Sequence, residues 1–481
     1  MGYKNDDEMV WYAAWGRGAL IAGVGMGLFM QGCARQAQPM AAREWVPEAF
    51  STQPSAAIPS DPLPERWWLS LNDPALNVLM EEALGQNFTI RSAWDRLTQA
   101  EQLLRQANAA LIPSVTYHGG VRRSRTETDT RTSYQGTVSA GVSVSYELDL
   151  WGKWRSTKQA LQFDAEARQE DVAAAAMTVS AGVARTWYQL TEANLQVDVI
   201  GRQLQTNRDV LQIVTLSFRQ GKVGAADVFR QRQLMEASEG QLIQAQERVA
   251  VLQHGLAVLV GRAPGGWQDR QPHVLLDLPP LPATGLPSEV LTRRPDIRRA
   301  FKAIQATDQR VAVAVADRYP SVDISAGLET GGNGVEALFQ SWSGNLAANL
   351  VGPLYDAGRR QAEVARQEAI LSQAINEYSQ QVLVALQEVE DALAQEDHQH
   401  AYVASVQQQL ATARLVLERI RQNYFGGQLD YLRVLDSLSS LQALERNELS
   451  ARRTLIERRI DLCRAIAGSW EMERPEQAKM L

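Results

Sequence analysis

A chain of 481 residues with 48 Lys and Arg against 55 Asp and Glu carries a formal net charge of -7, which leaves no basic footprint for binding nucleic acid. That length could hold two or three ordinary domains, but the chain is rich in Ala, Gln, Leu, Arg and Glu, the composition of long helices.

The first residues bear on the compartment. Arg17 precedes an apolar run from Ala19 to Met30, too short to span a bilayer comfortably but suited to a signal-peptide core. The run meets Gln31-Gly32-Cys33, and a small residue directly before a cysteine resembles the bacterial lipoprotein cleavage box. That resemblance implies a signal peptide over residues 1–32 and a lipidated Cys33 as the first mature residue, with its acyl chains holding the protein to a membrane. Met30 stands where the box usually has Leu, and an ordinary signal peptide or uncleaved anchor is the alternative. Asp6-Asp7-Glu8 is unusual in such a leader, which leaves Met1 and Met9 both open as the start. Ala34, rather than Asp, in the next position resembles lipoproteins sorted to the outer membrane. Residues 33–66 follow as a Pro-, Ala-, Ser- and Gln-rich tether.

Folding is expected to begin near Trp67-Trp68. Asn72-Asp73-Pro74 supplies helix-start chemistry for Leu76 to Leu84, and a second helix runs to Leu111, ahead of Pro113. A β-hairpin follows over about 114–148. Within it Val138, Ala140, Val142, Val144 and Tyr146 alternate with Thr137, Ser139, Gly141, Ser143 and Ser145, so one face is apolar and the other small and polar. With no proline between Pro113 and Pro264, Lys153 to about Gln220 reads as one helix of roughly 100 Å. Its partner returns from about Ala225 to Val260. A Pro-rich connection over 263–287 ends this first repeat, residues 67–262.

The same order then recurs over 288–468. Arg293-Arg294-Pro295-Asp296 opens a helix that ends before Pro320, with Pro295 suited to a first turn. A hairpin is predicted over about 321–351, where Val322, Ile324, Ala326 and Leu328 form one apolar set and Trp342, Leu346, Ala348 and Leu350 another. Long helices are predicted from Arg359 to Tyr424 and from Asp430 to Ala467, before a tail over 469–481. Leu150-Trp151-Gly152-Lys153 matches Asp356-Ala357-Gly358-Arg359, and Phe218-Arg219-Gln220-Gly221 matches Tyr424-Phe425-Gly426-Gly427, so the chain repeats itself at an offset of about 206 residues. Val382, Leu386, Val389 and Leu393, then Leu410, Ala413, Leu417, Ile420 and Tyr424, step by threes and fours as coiled-coil walls do. Cys463 falls in an amphipathic helical pattern as a buried small hydrophobe.

Strands of about 10 residues in an exported chain suit a membrane barrel, although a soluble sheet with one wet face has the same alternation. Open sheet edges are not tolerated in lipid, and four strands cannot close alone. A trimer giving about twelve strands is the smallest cyclic solution wide enough to leave a lumen. The expected fold class is therefore mostly α with a membrane β-barrel, in which duplicated hairpin plus long-helix subdomains form a homotrimer with a barrel of about twelve strands on a periplasmic α-helical barrel.

Tyr146-Glu147-Leu148-Asp149-Leu150-Trp151-Gly152, Arg293-Arg294-Pro295-Asp296-Ile297 and Gly352-Pro353-Leu354-Tyr355-Asp356-Ala357-Gly358 resemble the motifs of the TolC-like outer-membrane efflux channels, in their lipoprotein (OprM/NodT-like) branch. The resemblance runs from about Trp67 to Gly468. It implies a homotrimer that crosses the outer membrane of a Gram-negative bacterium and descends through the periplasm to a membrane fusion protein (the adaptor) and an inner-membrane pump, a proton-driven pump of the RND type. It also aligns Asp436 with an aspartate lining the closed periplasmic constriction and Leu432 with a hydrophobic plug; three-fold symmetry turns each into a ring. From the residues alone Asp436 reads as a solvated helix position, and the gate role is what the resemblance implies. Asp227 and Tyr424 align with positions linking neighbouring helices in the closed state. Leu429 and Arg433 depart from the best-known member, so its salt-bridge lock is not reproduced, and Arg433 has Asp430 or Asp436 as alternative partners. Gly221 and Gly427 mark the two reversals, where the resemblance implies adaptor docking and simple turn chemistry accounts equally for the glycines.

No phosphate-cradling loop, nucleophile elbow or Cys-rich zinc pattern is present, and His398-Gln399-His400 lacks the same-face spacing of a ligand pair. The expectation is thus no enzyme, no metal and no cofactor other than covalent lipid. Two readings remain: a passive exit duct of a tripartite exporter, serving drugs or toxic small molecules, and a lipid-anchored periplasmic coiled-coil scaffold or adaptor. Four strands with an apolar outer face favour the duct.

Overall fold

The computed structural model describes residues 64–265, 274–282 and 287–468, with 47, 49–51, 470 and 472–474. Cys33, the leader over 1–32, most of the tether and the end of the tail lie outside these residues.

A short 3-10 turn, Trp67–Leu71, ends at Asn72 in the left-handed region (φ 53°), and Asp73 then starts helix α1 (Pro74–Gln86). Asp73 Oδ1 accepts from the backbone N–H groups of Ala75 and Leu76 at 3.0 and 3.1 Å, satisfying donors that the first helical turn cannot. Its Oδ2 accepts from Trp187 Nε1 at 2.9 Å and the Tyr188 hydroxyl at 3.3 Å, so one carboxylate caps a helix and anchors it to the core. Helix α2 (Phe88–Ala109) leads into β1 (Ser114–Thr128) and β2 (Arg131–Leu148), followed by α3 (Lys153–Arg219) and α4 (Ala225–Val260). After the connection come α5 (Pro287–Arg293), α6 (Pro295–Ala316), β3 (Ser321–Gly332), β4 (Trp342–Val351), α7 (Arg359–Phe425) and α8 (Tyr431–Ile466). Helices α2 and α6 each have 22 residues, α3 and α7 each 67, and α4 and α8 each 36, so these three helices match in pairs between the two halves.

In space the chain divides into two units that cut across these halves. The first gathers residues 107–158 and 308–368 around one sheet of order β1-β2-β3-β4, antiparallel throughout. Its register aligns the apolar sets: Val115, Val144, Ala326 and Leu346 form one row, and Tyr146, Ile324 and Ala348 another. Ser114 and Thr116 share the opposite face with Ser145 and Ser143, hydroxyl to hydroxyl at 2.7 Å in both pairs. Strands β1 and β2 run 15 and 18 residues, longer than the expected 10 or so, because the ladder continues past the last apolar pair, Val121 and Val138, through polar residues to a turn at Thr128 and Arg131. β1 and β4 are free edges. The turns into α3 and α7 use the same device. Asp149 accepts from the N–H groups of Trp154 and Arg155 at 3.0 Å, Asp356 accepts from Gly358 and Arg360 at 3.1 and 3.3 Å, and Gly152 and Gly358 take φ of 77° and 83°.

The second unit holds the remaining helical residues. Its core is built on Trp67 and Trp68, both fully buried among Leu71, Leu79, Ile90, Leu190, Ile456 and Ile460. Burying each indole contributes about 4 kcal/mol before the entropy of ordering is subtracted. Cys463 is buried in the same cluster, and burial pushes its thiol up to about 12. In the Arg-Arg-Pro-Asp segment, Arg294 donates to Asp296 at 2.8 and 3.1 Å, to Glu388 at 2.7 Å and to the Ala465 carbonyl at 3.3 Å. Burial alone would raise the Asp296 carboxyl, but the Arg294 guanidinium holds it below the ordinary carboxylate range. Among the described residues no helix is long and apolar enough to cross a membrane.

Gly261 ends α4 at φ 85°, and a Cβ there would lie 2.6 Å from the Gln86 carbonyl oxygen. Gly261→Ala therefore meets both a backbone penalty and a backbone clash, and should cost about 2 kcal/mol or more in denaturant unfolding of the detergent-solubilised protein. Gly255→Ala, inside the same helix with open space at its Cβ, should be neutral or slightly stabilising.

Candidate functional site

The far ends of α3 and α7 reverse in the same way. Gly221, at φ 76°, lies within a turn in which Lys222 N–H donates to the Ser217 carbonyl at 2.9 Å; Gly427, at φ 73°, lies within one in which Gln428 N–H donates to the Asn423 carbonyl at 2.9 Å. The returning helices are capped by carboxylates from different positions. Asp227 Oδ2 accepts from Gly224 N–H at 3.3 Å at the start of α4, whereas Asp430 Oδ1 accepts from Arg433 N–H at 3.3 Å at the start of α8.

The two reversals converge on an apolar cluster of Val214, Tyr431 and Val434, with Val210, Val223, Val228, Ile420, Tyr424 and Leu435 around it. The Tyr424 and Tyr431 rings meet edge to face, 5.8 Å between centroids. Tyr431, Val434 and Leu438 are buried at steps of three and four, which fixes the inward face of α8. Leu432 and Asp436, one turn apart, are exposed on the other side, with Leu432 38% accessible.

The expected Tyr424–Asp227 contact is electrostatic rather than a hydrogen bond. Burial first and the Asp227 charge second raise the Tyr424 phenol, while the Asp227 carboxylate is taken by Gly224 and, at 3.5 Å, by Arg230. Among the described residues no ion pair joins the Arg433 guanidinium to Asp430 or Asp436. Asp430 meets the Arg433 backbone instead, because its side chain is committed to the cap.

A buried polar layer lies behind this cluster. The Tyr431 hydroxyl donates to Gln231 Oε1 at 2.7 Å, Gln231 Nε2 to the Asn207 carbonyl at 2.9 Å, and Asn207 Nδ2 to Ser238 Oγ at 2.8 Å. Gln442 Nε2 donates to Asn207 Oδ1 at 3.0 Å, and Gln203 Nε2 donates to Glu445 at 2.8 Å. Burial, then Tyr424 and Asp227, raises the Tyr431 phenol and keeps it a protonated donor. This layer joins α3, α4 and α8, and sequence reasoning missed it. The available signal was polar residues at core spacing, Gln203 with Asn207 and Gln231 with Ser238.

The chain is similar to known proteins along most of its length. The profile of the outer membrane efflux protein family matches residues 79–262 and 286–468. The pyoverdine export outer membrane protein OpmQ of Pseudomonas aeruginosa is 28% identical over 426 residues, covering 86% of this chain and 89% of its own. The cation efflux system protein CusC of Escherichia coli is 26% identical over 446 residues, covering 88% and 96%. Among solved structures, one of CusC, described in terms of folding and transmembrane channel formation, superposes with a TM-score of 0.80 at 25% identity, over 88% of this chain and 97% of that one. The outer-membrane channel OprN superposes with a TM-score of 0.81 at 24% identity, over 88% and 99%.

Proposed function

The chain belongs to the outer membrane efflux protein family and is the outer-membrane channel component of a tripartite efflux system, not an enzyme; within that role we propose a duct gated by rings of Leu432 and Asp436 and tethered by lipid on Cys33. Its fold is the mostly helical TolC-like plan of a trimeric outer-membrane channel, in which the hairpins of three chains supply a twelve-stranded outer-membrane barrel and the long helices belong to the periplasm. Two free edges on a four-stranded sheet with a continuous apolar face support closure by further copies, since lipid offers no hydrogen bonds to an open edge. The same face argues against a lipid-anchored scaffold, which has no use for it.

The observation that carries the gate is the placement of Leu432 and Asp436 away from the Tyr431, Val434 and Leu438 core. A side chain that finds no partner within its own protomer is available to its symmetry mates. Asp227 and Asp430 cap the returning helices, Asp227, Tyr424, Asp430 and Arg433 offer the contacts of the closed state, and Gly221 and Gly427 shape the tips that meet the adaptor. The relatives named for pyoverdine export and for cation efflux share this one duct plan, which supports placing cargo choice in the pump. The cargo is drugs or other toxic small molecules, and the pump is proton-driven and of the RND type.

The test is single-channel recording from the purified trimer in planar bilayers. A small, cation-preferring wild-type conductance is expected; a folded, detergent-dependent trimer that conducts nothing would move the assignment to the scaffold.

A further inference from the structure

The hairpin β1–β2 outruns the membrane, and its outer end carries charge on the face that meets lipid. Along β2 the apolar row runs from Leu148 to Val138, which at about 3.3 Å per residue and a tilt near 40° gives a band about 25 Å tall, the height of the apolar belt of an outer-membrane barrel. Beyond Val121 the next residues on that same face of β1 are Arg123, opposite Gly136, and Arg125, opposite Tyr134. They stand about 5 to 10 Å above the band, the depth of lipid headgroups. Both guanidinium carbons sit over the Tyr134 ring, 5.6 and 5.9 Å from its centroid. Glu127 pairs with Arg125 at 2.7 Å, but among the described residues no carboxylate lies within ion-pairing distance of Arg123.

We propose that Arg123 and Arg125, held on Tyr134, bind the phosphate groups of the outer-leaflet glycolipid, lipopolysaccharide. Two cations sharing one aromatic ring repel each other, and Glu127 offsets only one of them. A phosphate monoester supplies the missing charge and matches the planar fork of a guanidinium. Water alone would not need the pair on this face, because the other guanidinium groups of the hairpin, Arg122 and Arg131, already point to the polar face. Three such sites would ring the barrel and fix its depth in the outer leaflet. The proposal rests on the barrel reading above.

The test titrates the full-length detergent-purified trimer with rough-type lipopolysaccharide, followed by native mass spectrometry, against the same glycolipid after phosphatase treatment. Arg123→Gln with Arg125→Gln should weaken binding about twenty-five-fold, at about fivefold for each surface cation. Dephosphorylation should weaken wild-type binding equally, and Arg131→Gln should leave it unchanged. Wild-type affinity in the double variant, or indifference to dephosphorylation, would overturn the site. Displacement by inorganic phosphate at equal concentration would reduce it to a general anion site and overturn the lipid assignment. Conductance of the double variant in bilayers reports an assembled barrel, so a folding failure and a failure of the channel reading are both told apart from loss of the site.

Discussion

Alanine at both Leu432 and Asp436 is expected to raise the single-channel conductance about tenfold, the effect of lifting a barrier of about 1.4 kcal/mol to the passage of a hydrated ion. The geometry behind this is local. Asp430 fixes where α8 begins, and Tyr431, Val434 and Leu438 bury one side of its first two turns. That leaves Leu432 and Asp436 stacked one turn apart on the opposite side. In a three-fold assembly the leucines form a ring that disfavours wetting, and the aspartates a ring that favours cations and repels anions.

The single variants separate the two effects. Leu432→Ala should raise conductance while keeping cation preference, because the carboxylates remain. Asp436→Asn should lose most of the preference for potassium over chloride with a smaller change in conductance. Arg433→Ala should leave the start of α8 in place, since Asp430 caps the Arg433 backbone N–H and among the described residues no ion pair joins the guanidinium to Asp430 or Asp436. A double variant with wild-type conductance would place the constriction elsewhere, and the polar layer around Gln442 and Asn207 would be the next position to examine.

What could be read from the sequence follows from the range of the interactions involved. The strand faces were legible because a period of two survives any register that keeps one face apolar, and the observed pairing of Val144 with Ala326 and of Ala326 with Leu346 keeps it. The long helices were legible because nothing interrupts them, and the reversals because Gly221 and Gly427 carry the left-handed backbone that such a turn needs. The side-chain partners were not. Gln203 reaches Glu445 across 242 residues of sequence, and neither residue type nor spacing names such a partner. The family resemblance aligned Asp227 and Tyr424 with positions linking neighbouring helices, and Arg433 had the alternatives Asp430 or Asp436, but neither showed that Asp227 and Asp430 also cap their own helices: a carboxylate within three residues of a helix start lies beside unpaired N–H groups. The Arg-Arg-Pro-Asp segment was recognised as a motif, whereas its reason, one buried guanidinium bonded to α6, α7 and α8, is visible only in three dimensions.

The largest stability loss is expected at Arg459. Its side chain and that of Glu396 are each 6% exposed; Arg459 Nε donates to Glu396 Oε1 at 2.8 Å, and Nη2 lies in ion-pair contact with the same oxygen at 2.6 Å. Arg459 Nη1 donates to the carbonyls of Pro279 and Pro280 at 2.9 and 3.1 Å, so the same guanidinium fastens the proline-rich connection to α7 and α8. Arg459→Ala leaves a carboxylate in the core and two carbonyls without donors, a loss of about 3–5 kcal/mol. Glu396 Oε2 already lacks a protein partner, so the pair itself is not an efficient source of stability. Replacing both partners, Arg459→Met with Glu396→Leu, should therefore recover most of the loss and fall within about 1–2 kcal/mol of wild type, although the prolyl carbonyls stay unmet. Denaturant unfolding in detergent, run as a double-mutant cycle, decides the matter: equal losses in Arg459→Ala and in the double replacement would mean that the stability lies in the prolyl contacts, and a loss under about 1 kcal/mol in Arg459→Ala would sink the argument altogether.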